Sequence, residues 1–127
     1  MQDEPTPTEL TKAVADFLRD DIAPTLSGHS AFKLRVAINM LDLVTRQLTL
    51  AAGSDAAESA RLQQLLELDG SLIELNRALA GKIAGGEMGL QTPGLAEHLW
   101  QTTMDKLAVD QPGYAAYKRE LGRKDKP

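Results

Sequence analysis

The chain has 127 residues, a net charge of −4, 43% apolar side chains and no cysteine. It is sized for one domain with a real core, and a disulfide framework, a thiolate nucleophile and a zinc–thiolate site are excluded. Aromatic residues make up only 4%, so the core must be built from Leu, Ile, Val, Met and Ala, residues that suit helices.

The first helix has a clear start, because Thr6, Pro7 and Glu9 form a Thr-x-x-Glu capping box with proline at the first helical position. Leu10, Ala13, Val14, Phe17, Leu18 and Ile22 then recur at helical spacing, opposite Lys12, Asp16, Arg19 and Asp20. Pro24 is expected to end this helix, since the residue before a proline avoids the helical region. The connector LSGHS, residues 26–30, offers Ser27 or Ser30 as a cap for a second helix running from Ser30 to Ala52. That helix carries two apolar stripes. Leu34, Ala37, Leu41, Val44 and Leu48 form one; Val36, Met40, Leu43 and Leu50 form the other.

Gly53 in AAGSD is read as a break, with Ser54 or Asp55 opening a third helix whose Leu62, Leu65, Leu66 and Leu68 face inward. Asp69 and Gly70 interrupt it, and the two pieces either separate here or join as one kinked helix, since Ser71 is a weak breaker. Ser71 and Glu74 then supply a second capping box, Leu72, Leu75, Leu79 and Ile83 continue the pattern, and Gly85–Gly86 close it. Thr92 and Pro93 are expected to cap and open a fifth helix, lined by Leu95, Leu99, Met104 or Thr103, and Leu107, with Trp100 beside them. A last short helix, with Pro112 near its first position, lays Tyr114, Tyr117 and Leu121 back on the rest. No segment alternates with period two. The expectation is all-α: one domain over residues 1–127, a bundle of five or six helices with flexible ends at 1–5 and 122–127.

The chemistry-bearing residues form no recognisable catalytic set. Glu97 and His98 are adjacent on a helix and diverge, the Glu-x-x-His pairs of a di-iron bundle are absent, and His98 reads as a surface or boundary residue and His29 as a loop residue. No nucleophile elbow surrounds any serine, and AGGEMG lacks the Gly-Lys-Ser/Thr of a phosphate loop. Neither a metal nor a cofactor is expected. The one basic cluster sets Lys118, Arg119, Arg123, Lys124 and Lys126 against Glu120 and Asp125 in a tail without aromatics, which argues against a nucleic-acid partner. No run approaches the roughly 18 apolar residues of a membrane span. MQDEPTPTEL lacks the basic and apolar regions of a secretory signal, so a soluble cytoplasmic protein is the expectation.

One feature resists dismissal. Arg35, Asn39, Asp42 and Arg46 lie on one line of the otherwise apolar second helix, within about 60° at roughly 100° per residue. Three fates are open to this seam: a solvated strip, a buried hydrogen-bonding network, or a ligand- or partner-binding surface on which two guanidinium groups grip an anion.

Three strings, QDEPTPTEL, RVAINML and KLAVDQPGYAAY, occur in this order across nearly the whole chain. Together they resemble a small bacterial helical family of unknown function, typically encoded beside aminoglycoside-phosphotransferase-like kinases and acyl-CoA dehydrogenases. The resemblance implies no catalytic residue. It implies an accessory role to such an enzyme pair. The surplus apolar circumference of the second helix and the lack of any nucleophile, base or metal set make the leading expectation a non-enzymatic helical interaction module, partnered by a second copy or by neighbouring metabolic enzymes. The alternative is a binder of a small anionic or acyl ligand, or a cryptic enzyme, with the site in an inter-helix cleft at Arg35, Asn39, Asp42 and Arg46.

Overall fold

The structure is a computed structural model, and it describes residues 3–124. Among these residues it is all-α, with five α-helices and no strand. They are α1 (Pro7–Phe17), α2 (Gly28–Leu66), α3 (Leu72–Ala84), α4 (Leu95–Asp110) and α5 (Ala115–Lys124). The chain packs as two compact units, one ending at Ala51 and the other beginning at Ala52.

In the first unit, α1 begins at the expected capping box. The Thr6 amide donates to Glu9 Oε2 at 2.7 Å, and the Glu9 amide donates to Thr6 Oγ1 at 3.2 Å. These hydrogen bonds hold the Glu9 carboxyl below its ordinary range, the backbone donor at Thr6 contributing most. The helix does not run unchanged to Pro24. It widens into a π-helical turn over Leu18–Ile22 and tightens into a 3-10 turn over Ala23–Thr25. Proline supplies the reason: it has no N–H to give, and its ring collides with the carbonyl four residues back.

The first part of α2 returns antiparallel to α1. Thr45 donates to Thr11 at 2.8 Å and Arg19 reaches Asp42, so later residues of α1 and its π turn meet earlier residues of α2. Ala15 and Ile38 are the unit's buried apolar residues.

The expected break at Gly53 does not occur: α2 runs through Gly53, Ser54 and Asp55. A glycine inside a helix costs only about 1 kcal/mol relative to alanine, and the flanking alanines favour helix. The helix ends instead at Glu67, whose left-handed φ of 54° closes it.

In the second unit the expected inward line holds except at Leu68, which follows the left-handed Glu67 and is exposed, and at Ile83, which is also exposed. Leu62, Leu66, Leu75, Leu79 and Leu95 form the core, with Leu65, Leu72, Ala78 and Met88 packed against it. Ser71 and Glu74 make the second capping box, with the Ser71 amide donating to Glu74 Oε2 at 2.8 Å. Gly85 and Gly86 end α3, and Gly86 takes a φ of 76°.

The start of α4 differs from expectation. Its N-cap is Gly94, at a left-handed φ of 85°, and not Thr92. Thr92 is used to close the preceding turn, accepting from the Gly89 amide at 3.0 Å and donating its own amide to the Gly89 carbonyl at 2.8 Å. The inward line of α4 is Leu95, His98, Met104 and Val109, while Leu99, Trp100 and Thr103 are exposed. Of the last helix's expected contacts only Tyr117 is buried; Tyr114 and Leu121 are exposed. Residues 122–124, expected as part of a flexible end, continue α5, whereas Met1, Gln2 and residues 125–127, including Lys126 of the basic tail, lie outside the described residues.

Candidate functional site

The seam on α2 is drawn into the hairpin of the first unit. Lys12 Nζ contacts Asp16 at 2.6 Å, Asp16 contacts Arg19 at 3.0 Å, and Arg19 Nη2 contacts Asp42 Oδ2 at 2.7 Å. The Asp42 hydrogen bond raises the Arg19 guanidinium further above its ordinary range, and the Lys12 hydrogen bond lowers the Asp16 carboxyl. Asp42 and Arg46 are half-buried and Arg35 and Asn39 are exposed. Part of the seam is thus an intramolecular charge chain, and part is open to solvent.

The cross-links fix which way each helix faces. Thr11 and Ala15 of α1, and Ile38, Asp42 and Thr45 of α2, mark the line between the two helices. At about 100° per residue, Lys12, Asp16, Arg35 and Arg46 then fall on one side of the hairpin. Leu10, Val14 and Phe17 of α1 fall on the opposite side, together with Ala37, Val44 and Leu48 of α2, and Met40 stands at its outer edge. These large residues are exposed: Val14 is 48%, Leu48 47% and Met40 63% open. One side of the hairpin is bare and apolar; the other carries the charged residues, with exposed Phe32, Leu43 and Leu50 beside them.

The second unit contains a groove of about 370 Å³ lined by Arg61, Gln64, Leu65, Pro93, Gly94, Glu97 and His98. His98 is only 3% exposed, a correction to its reading as a surface or boundary residue. Its Nδ1 and Arg61 Nε are buried without a hydrogen-bond partner. Burial, then the nearby Arg61 charge, pushes the imidazole below its ordinary 6.5, with Glu58 opposing. Arg61 is held loosely, at 3.4 Å from Thr102 and 3.5 Å from Asp105. Arg61 was missed from sequence, although it lies four residues before Leu65 and so on the inward side of α2. His98 lies three after Leu95, which is the same signal.

Three carboxylates act in or beside this groove. Glu97 lines it, Asp105 holds Arg61, and Glu58 acts on His98 while accepting from Asn76 at 2.8 Å. Among the described residues no three His, Asp or Glu side chains are grouped to hold a metal ion.

Fold and site together define a small all-α protein with an amphipathic helical hairpin and no helix, among the described residues, long and apolar enough to cross a membrane. Residues 24–114 match the family described as a domain of unknown function, DUF6285, and the chain belongs to that family. The matched stretch includes RVAINML and most of KLAVDQPGYAAY. No curated protein and no solved structure matches the chain.

Proposed function

We propose that this chain is a helical interaction module that docks a complementary apolar helical surface on the bare face of its first unit. One observation carries the reading. Ala15 and Ile38 are that unit's buried apolar residues, while Leu10, Val14, Phe17, Met40, Val44 and Leu48 stay exposed on one side of it. Two helices alone have too little interior to shelter such residues, and contiguous apolar surface of this extent marks an interaction site. The accessory role implied by the family resemblance is of the same kind. The anion-binding alternative has less support. Asp42 already engages a cation of its own chain, and the groove at Arg61 is shared with Glu97 while Asp105 contacts the Arg61 guanidinium.

The test is photo-crosslinking from the full chain in its native host, with the reactive residue placed at Met40, Val44 or Asn39. Adducts are expected from Met40 and Val44 and not from Asn39 on the charged flank. No adduct from the apolar positions, or equal yields from all three, overturns the reading.

A further inference from the structure

We propose that the surface this face meets is a second copy of the chain, two hairpins closing into a four-helix bundle. This rests on the docking reading above and names its partner. Three observations favour a copy of itself.

The first is topology. An amphipathic pair of antiparallel helices is half of an up-and-down four-helix bundle, and a two-fold axis supplies the other half with no new element. The stripe Leu34, Ala37, Leu41, Val44 and Leu48 repeats at alternating spacings of three and four. That is the seam spacing that lets neighbouring helices interlock side by side.

The second is area. A stable interface buries roughly 800 Å² per partner, somewhat over half of it apolar. Leu10, Val14, Phe17, Met40, Val44 and Leu48, each about two-fifths to three-fifths exposed, together offer on the order of 500 Å² of apolar surface per copy, which meets that need.

The third is charge. Leu10, Val14, Phe17, Ala37, Val44 and Leu48 carry none, so apposing two such faces brings no like charges together. The rims are unlike. The π turn at the end of α1 carries exposed Asp20 and Asp21, whereas Lys33 borders the face on α2 at a similar height. A two-fold axis parallel to the helices sets the α1 edge of one copy beside the α2 edge of the other, acid beside base. A basic or acidic foreign partner satisfies only one of these rims.

The experiment uses the purified full chain. Sedimentation equilibrium from about 1 to about 100 µM is expected to give the dimer mass, with a return toward monomer on dilution. Val44→Glu, and independently Leu48→Asp, are expected to weaken association at least tenfold. The chain has no cysteine, so single-cysteine variants report directly. Val14→Cys mixed with Val44→Cys is expected to form an intermolecular disulfide under mild oxidation, since α1 of one copy lies against α2 of the other, and Val14→Cys mixed with Asn39→Cys is not. The cysteine variants keep the proposal testable should the charge variants fail to fold.

A monomer at every concentration, with no disulfide from the apolar positions, overturns it. If Met40 and Val44 nonetheless crosslink to a different protein in the host, the partner assignment fails and the docking reading survives. If they crosslink to nothing, both fail.

Discussion

Arg19, in the π-helical turn, places its Nη2 2.7 Å from Oδ2 of Asp42 on α2, and so ties the end of the first helix to the middle of the second. The pair stands 43% and 37% exposed, in a chain of charges that continues through Asp16 to Lys12. It marks the polar side of the hairpin and thereby which side is bare. Exposed pairs are screened by solvent and contribute little net stability. Arg19→Ala and Asp42→Asn are each expected to lower Tm by less than about 2 °C. The coupling between them in a double-mutant cycle should disappear near 1 M salt, where screening acts within a few ångströms. A large coupling that survives salt would contradict this assignment.

Gly53 sits inside α2, and a Cβ added there meets nothing within 4 Å. Gly53→Ala should therefore stabilise the chain by about 0.5–1 kcal/mol, through a less flexible unfolded state and better helix propensity. Thermal unfolding followed by circular dichroism checks it, and a fall in Tm would contradict a continuous helix at this point.

Ser71 anchors α3 through the Glu74 amide at 3.3 Å, and Glu74 returns to the Ser71 amide and hydroxyl. Ser71→Ala is expected to cost about 1 kcal/mol, and Ser71→Asp much less, since aspartate also caps. Chemical denaturation midpoints at constant slope measure both.

His98 gives a pH signature. Burial first, and the Arg61 charge second, hold its pKa below 6.5 in the folded chain, while Glu58 pulls the other way. The unfolded chain therefore binds the proton more readily. Above pH 6.5 the imidazole is neutral in both states and adds no pH dependence; as pH falls below 6.5, stability drops until the folded-state pKa is passed. His98→Gln should flatten the stability curve in that window. The Glu9 and Glu74 carboxyls, both lowered from 4.5 by their capping hydrogen bonds, act in a separate range: their contribution is present above 4.5 and is lost as pH falls through their folded-state values.

The elements legible in the sequence are those whose cause lies within one or two turns. The Thr6–Glu9 and Ser71–Glu74 boxes, the Gly85–Gly86 stop and the inward leucines at 62, 65, 66, 75 and 79 all stand where spacing put them. Gly53 and Thr92 were misread for one reason. A single residue carries about 1 kcal/mol of local preference, which neighbours override. Alanines carried the helix through Gly53, and a tight turn with Gly89 claimed the Thr92 hydroxyl.

By itself the sequence determined the all-α class and the amphipathic stripes, because hydrophobic periodicity and capping are local properties of the chain. Only the tertiary structure decided what each stripe faces. The contact of Arg19 with Asp42 spans 23 residues and that of Thr11 with Thr45 spans 34. Those contacts turned the Arg35–Arg46 seam to one side of a hairpin and left Val14, Met40, Val44 and Leu48 bare on the other. Periodicity states that a face is apolar; which surface covers it is settled by packing between distant segments, and that pairing is not written in any single turn of helix.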